Sequence, residues 1–573
     1  MIGVKSLARA WAGCIVLGGV VVGPVTASTS AADLILRNGQ IYTSSGWAQS
    51  LAVKRGVIVA VGDEAAMAPF KTDGTKVIDL KGATVVPGLH DMHVHPLFAG
   101  LAQAQCRFTQ GSTPQQILDA VKACVAKRAK GEWVVGGQWE GSAFARQPMH
   151  RSMLDRVAPD NPVALGDISG HSVWANSKAL QIAGITKATA NPPLGIIERD
   201  AKGEPSGVLR ESAAGLVNGV IPPPTPEEAA KALSWSLSTM LSQGITSFTD
   251  AALNGAGLQA YATLADQGVL KQRVRGCILW RALTPDERGP SPAELIQNRN
   301  LYARDRFAPD CIKIILDGVP TDGHTAAMVE PYADATNLGD ARARGLLMVP
   351  PETLKAAVID FDRRGLTVKF HAAGDAAVRA GLDAIEAARK ANGFSGLLHN
   401  VAHNSFVQMS DIRRARDIAA TFEMSPYIWY PNPIIPDITK AVGPERMKRW
   451  IPVKEAIDAG ALVVAGSDWS VVPSVNPWIA IETLVTRQKP GGGGETLGEA
   501  EKLTLDEAFK LFTVNSARQM GSASRTGAIE AGLLADVLVL DRNPFKIPVT
   551  EIHDTKVTMA LINGEVVYQS TRP

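Results

Sequence analysis

Neither sign of charge is in excess: 58 lysines and arginines face 56 aspartates and glutamates, a formal net charge of +2. No block of Lys or Arg occurs either, so the electrostatic footprint of a nucleic-acid or acidic-membrane binder is missing. No internal repeat is present, and only the glycines at 491–494 form a low-complexity patch. Beyond the first 32 residues, no apolar stretch reaches the length of a bilayer span. With 46% apolar and 20% charged residues, the chain is not a disordered, collagenous or histone-like polymer, because it has ample material for a buried core. Its 573 residues exceed one ordinary domain, but a large α/β barrel with attachments takes most of them.

The first 32 residues differ from the rest. Lys5 and Arg9 precede an apolar, glycine-rich run at 11–25, followed by small residues at 27–32, the layout of a secretory signal peptide cleaved after Ala27 or Ala32. The run is short for an anchor and is interrupted by glycines and Pro24. The expectation is an exported, periplasmic protein with no membrane anchor after processing. Removal of Lys5 and Arg9 takes the formal charge from +2 to 0. Cys106, Cys124, Cys277 and Cys311 remain, and an even count in an oxidising compartment permits disulfides. Cys106 and Cys124 flank the helical pattern QQILDAVKACVAK and are the candidate pair, which spacing alone leaves open. Cys277 and Cys311 sit inside apolar strand-like runs and read as buried free thiols.

Residues 33–88 read as short strands with turns at Asn38-Gly39 and Arg55-Gly56, and residues 525–573 have the same character. Each end is too small for its own core, so the two together predict one composite β-sandwich. The barrel is expected in residues 89–524, with eight apolar strand candidates, the first straddling its start, at 84–93, 244–250, 273–279, 311–318, 366–372, 397–403, 418–424 and 461–468. Most are separated by helical patterns such as PETLKAAVIDFDRRG and DAAVRAGLDAIEAARKANG, an alternation that predicts a (β/α)8 TIM barrel. The first gap is far longer than a single helix needs. Residues 100–235 are therefore expected to form an inserted subdomain beside the barrel mouth, with the proline-rich stretch 221–226 as its exit.

The chemistry lies at the ends of these strands. His93 and His95 form an H-x-H at the end of the first, where a period of two sends both imidazoles to one side. Taken alone this is a weak metal signal. Lys313 inside CIKIILDG, His371 ending LTVKFH, His403 ending LLHNVAH and Asp468 ending ALVVAGSD add ligand-type residues on other strands, mostly at the ends where barrels build active sites. A lysine buried in a strand needs a partner or a lowered pKa. Either Asp317 or another acid pairs with it, or the neutral amine takes up carbon dioxide and becomes a carbamate ligand. Imidazole and carboxylate donors suit zinc best, then manganese, iron or nickel. Such a centre with open positions lowers the pKa of a water molecule and polarises a carbonyl.

With PGLHDMHVHP opening the barrel, the ordered set H-x-H, Lys, His, His, Asp resembles the amidohydrolase superfamily. The stretches GHSVWANSKAL, LDGVPTDGHTAAM, HAAGDAAVRAGLDAIEAAR, AGSDWSV and NGEVVY are similar to amidohydrolase family 3, the group that includes N-substituted formamide deformylase. The resemblance implies two divalent metal ions, zinc by preference. His93, His95 and Asp468 would hold one ion and His371 with His403 the other, bridged by N-carboxylated Lys313 and a hydroxide. It implies that Asp468 moves the proton from water to the leaving nitrogen, with His171 or His324 as a further catalytic donor to the oxyanion or as a substrate contact. HNVAH at 399–403 departs from the family's more charged HRIEH, which puts the contacts around that ligand in question.

The implied partner is a small-molecule, amide-type substrate, and the implied reaction is cleavage of a non-peptide C-N bond. Several of Trp139, Trp174, Trp429 with Tyr430, Trp469 and Trp478 are candidates for an aromatic pocket wall, and at least half of the tryptophans are expected to be ordinary core residues. A metal-dependent esterase or lactonase would use the same site. A non-catalytic binding protein would be signalled by a lost ligand, and none is lost. Oligomeric state is not legible here, and the resemblance suggests a homodimer.

Overall fold

The computed structural model describes residues 31–109, 111–281, 289–321, 323–335 and 343–571. The expected signal peptide, up to residue 30, lies outside the described residues. Eight barrel strands form: β1 (Leu89–Val94), β2 (Ile245–Leu253), β3 (Arg273–Leu279), β4 (Phe307–Ile315), β5 (Thr367–Ala372), β6 (Asn400–His403), β7 (Thr421–Met424) and β8 (Leu462–Ala465); seven fall on the expected runs, and the first run, 84–93, is split, its Thr84–Pro87 part joining another sheet. The eight make one parallel sheet in chain order. The β1, β5, β6 and β7 strands are buried along their whole length, the pattern of strands covered on both faces.

The two edges meet at a narrow seam. Val94 bridges Trp469 in parallel, the His95 amide donates to the Trp469 carbonyl at 2.6 Å, and the Asp468 amide donates to the His93 carbonyl at 2.7 Å. Gly466 permits this approach, because a Cβ there would lie 2.4 Å from the His93 Cβ. The barrel is an eight-stranded, nearly closed cylinder, and the residues that close it flank three of the expected ligands.

Helices cover the outside. Pro226–Ser242 starts with a Thr225–Glu228 capping box and Pro226 in its first turn. Asp375–Asn392 buries one apolar face and ends at Gly393, whose φ of 75° is the left-handed stop that glycine supplies. The segment between β1 and β2 forms a six-stranded sheet of its own, from Cys106–Arg107 to Pro205–Glu211. Two further sheets are built from the chain ends. One contains Leu34–Arg37, Ser50–Lys54, Val57–Gly62 and Lys76–Asp79. In the other, Thr84–Pro87 pairs with Val537–Leu540. Leu36 and Leu51 of the first share a core with Val85, Val537 and Leu561 of the second.

The cysteines differ from expectation at one pair. Cys106 and Cys124 are joined, tying the first insertion strand to the helix Pro114–Val125. Cys277 and Cys311 are not free thiols but a second disulfide. They are register partners on β3 and β4, so adjacent parallel strands carry them to bonding distance, with Cα atoms 4.1 Å apart. Nothing in the strand pattern reveals register, which is why the pairing was not foreseen. Replacing both by serine should cost about 2–4 kcal/mol, the usual effect of removing a crosslink, seen as a lower guanidinium midpoint.

Candidate metal centre

Alternation along each strand sets the interior layers. Lys313 on β4 and Lys369 on β5 are register partners, and both are buried. Lys369 ion-pairs with Glu423 of β7 and donates to the Met92 carbonyl at 2.7 Å. Glu423 also accepts from Asn400 Nδ2 at 2.6 Å and from His93 Nδ1. One fully buried carboxylate thus neutralises one fully buried ammonium and orients one imidazole.

The histidines above this layer share a pattern. His93 gives Nδ1 to Glu423, His371 gives Nδ1 to Asp317 at 3.1 Å, and His403 gives Nδ1 to the Ser425 carbonyl at 3.3 Å. Each outer bond fixes the tautomer whose Nε2 lone pair is free for a metal. The alternation that turns Asn400 inward would turn His403 outward, but the left-handed φ values of His403 (80°) and Asn404 (51°) break the pleat. The His403 ring is brought to 4.2 Å from that of His371, centroid to centroid. Asp468, with φ 57°, places Oδ1 3.0 Å from His95 Nε2 and 3.6 Å from His93 Nε2. Lys313 Nζ lies 3.3 Å from His93 Nε2.

The electrostatics favour metal-binding forms. Burial, then the Lys313 and Lys369 charges, hold His93 well below the usual imidazole range. Burial, then His371 and Lys313, do the same to His403, and burial with the neighbouring His171 does so to His371. Burial and the Lys369 cation push the Lys313 amine down to about 7. Burial alone would raise Asp468, but its hydrogen bond to His95 and the surrounding cations hold it below the ordinary carboxylate range.

These residues fit a metal on their own terms. Donor atoms of His93, His403 and Asp468 lie within 4.8 Å of one another. The buried Nε2 of His403 has no hydrogen-bond partner, which a neutral imidazole pays for unless a cation completes it. Among the described residues, no carboxylate lies within ion-pairing distance of Lys313, and Asp317 binds His371 and the amides of Ala327, Ala373 and Gly374 instead.

Of the two further histidines singled out, the structure brings only one to the site. His171, from the insertion, lines the cavity above the cluster with its ring 5.2 Å from that of His371. Its Nδ1 donates to Glu211 at 2.9 Å, and Glu211 in turn accepts from Thr325. Burial opposes charge on His171, but Glu211 outweighs it and pushes the imidazole up to about 9. His324 lies elsewhere: its Nε2 is 2.6 Å from Asp334, its ring meets Tyr332 edge-on, and it is absent from the cavity lining. The tryptophans are mostly core residues, as the sequence leads one to expect of at least half of them. Trp139, Trp174, Trp429 and Trp478 are buried core residues, and of the aromatics named only Tyr430 lines the cavity, joined by Trp450.

The sequence does not single out Glu423, Lys369 or Glu211, and offers Asp317 only as a partner for Lys313. The signal for the first two was present, since an acid in IAATFEM and a lysine in LTVKFHA are charges inside apolar strands, the argument that identified Lys313.

The sequence model of the amidohydrolase family matches residues 76–568. The chain belongs to amidohydrolase family 3. It is 30% identical over 548 residues to YtcJ of Bacillus subtilis (94% of this chain, 99% of that protein). It is 27% identical over 556 residues to N-substituted formamide deformylase of Arthrobacter pascens (95% and 99%). Among solved structures, an uncharacterized metal-dependent hydrolase from Pyrococcus horikoshii matches at TM-score 0.71 and 23% identity, covering 90% of this chain and 99% of that one. This amidohydrolase shares its fold with that hydrolase and carries a candidate metal site at His93, His403 and Asp468. Among the described residues, no helix is long and apolar enough to cross a membrane.

Glu423→Gln should strand the Lys369 ammonium and unfix His93. The expected result is about 3–5 kcal/mol of lost stability in denaturant titration and about 10–100-fold weaker metal binding in a chelator competition.

Proposed function

We propose that this amidohydrolase is an exported enzyme with two divalent ions, zinc by preference, that hydrolyses a non-peptide C-N bond of a small amide. The observation that carries this reading is the convergence of neutral, Nε2-free imidazoles with Lys313 and Asp468 beneath one cavity. His93, His95 and Asp468 would hold one ion and His371 with His403 the other. Lys313 would join them as a carbamate: its uncharged amine adds to carbon dioxide, forming a C-N bond and releasing a proton. Ions held there would bring the pKa of a water molecule toward neutrality and polarise the amide carbonyl.

The chain's own groups do the rest. Asp468, kept ionised and within reach of three imidazoles, accepts the proton from the attacking water and delivers it to the leaving nitrogen. His171, held by Glu211, donates to the carbonyl oxygen as charge develops there. The apolar walls keep bulk water out, which strengthens both interactions. Two disulfides, Cys106–Cys124 and Cys277–Cys311, support an oxidising compartment, which the periplasm provides. The N-substituted formamide deformylase relative supports the choice of a C-N bond over an ester.

Elemental mass spectrometry of the purified protein should find about two ions per chain, with chelator-sensitive release of amine from N-acyl or N-formyl substrates. Lys313→Ala should hold fewer than two, with short carboxylic acids restoring part of the loss; a variant that binds two normally would refute the carbamate. Asp468→Asn should keep the fold and most of the metal while turnover falls by about a hundredfold or more. Undiminished turnover would remove Asp468 from proton transfer.

A further inference from the structure

The cavity over the cluster, about 250 Å3, is walled by hydrocarbon from four separate segments. Ile168 comes from the insertion, Val319 from the chain after β4, Ile428 and Ile434 from the β7–β8 connection, and Val471 from the loop after β8. Five prolines stand among the lining residues. Among the described lining residues there is no lysine or arginine. Apart from the neutral Tyr430 phenol, the ionisable groups are Asp468 and the imidazoles of His371 and His403 at the floor, and His171, whose charge already faces Glu211. Asn432, the one carboxamide in the wall, is consumed locally: its Nδ2 donates to the Tyr430 carbonyl at 2.8 Å and its Oδ1 accepts from the Ile434 amide at 3.2 Å.

Such a wall treats two kinds of amide differently. An uncharged hydrocarbon substituent on the nitrogen gains by leaving water. A carboxylate on the carbon next to that nitrogen would be stripped of water opposite aliphatic side chains with no cation to meet it, which is strongly unfavourable.

We propose that the site accepts uncharged amides with an apolar substituent on nitrogen and rejects those that carry a carboxylate beside it, as N-acyl amino acids do. This rests on the hydrolase reading above and narrows its substrate class. It places the selectivity in the wall segments, not in the cluster, whose geometry serves any amide carbonyl.

The test is a matched series on one skeleton: N-formyl-3-methylbutylamine, both enantiomers of N-formylleucine, and the corresponding N-formylleucinamide. The metal-loaded full chain should show kcat/KM at least about a hundredfold higher for the amine derivative than for either leucine enantiomer, with the neutral leucinamide recovering most of the difference. Binding of the same compounds to Asp468→Asn, followed by calorimetry, separates recognition from turnover. If nothing is hydrolysed yet the neutral compounds bind at least about tenfold more tightly than the carboxylates, the hydrolase reading falls and the proposal stands. Equal or better use of the carboxylates in either assay, or no binding of any compound, overturns it. Ile434→Arg, with Val471→Lys as a second placement of the cation, should shift the preference toward the carboxylates by at least about tenfold; an unchanged preference in both variants also overturns it.

Discussion

The charge balance inside the barrel is the constraint on which the rest depends. Two lysines side by side on β4 and β5 would repel each other in a medium that hydrates neither. Glu423 resolves this by taking Lys369, and that choice leaves Lys313 as the ammonium without a carboxylate among the described residues. The same carboxylate sets the tautomer of His93. A structural ion pair in one layer therefore determines the reactivity of the layer above it. Exchanging the roles of the two lysines would move the low-pKa amine away from the histidines.

The insertion is more than an ornament on the barrel. Its sheet ends at Glu211, which binds the side chain of His171 and donates its backbone amide to the His171 carbonyl at 2.8 Å. Through Thr325 the same carboxylate reaches the chain that follows β4. The barrel supplies the metal-type ligands, the insertion supplies a cationic donor opposite them, and Glu211 registers one against the other.

Much of this was legible in the sequence. Each of the eight strands is a short apolar run bounded by turn residues, and burial on both faces makes such runs conspicuous. The strand-end residues were visible for the same reason: a histidine or aspartate closing a hydrocarbon run is out of place unless it has work to do. What could not be read was register and direction. Cys277 and Cys311 look like ordinary core residues until β3 and β4 are laid side by side. His324, the weaker candidate beside His171, is placed only by the fold, which leaves it out of the cavity lining. The tryptophans share a chemistry with pocket walls, and only packing shows that the five named fill cores while prolines and aliphatic residues line much of the cavity. Asn400, where a charged residue would match the family pattern, proves to donate to Glu423 and so belongs to the network rather than interrupting it.

The pairing of Thr84–Pro87 with Val537–Leu540 has a consequence for how the molecule is made. The strand that enters the barrel and the strand that leaves it are neighbours in one sheet, yet about four-fifths of the chain lies between them. During synthesis Thr84–Pro87 must wait, with an open edge, until Val537–Leu540 emerges. Such an edge invites pairing with other chains, and contacts this distant in sequence form slowly. The interval in which that edge stays open is set by the time needed to synthesise the 449 residues between the two strands.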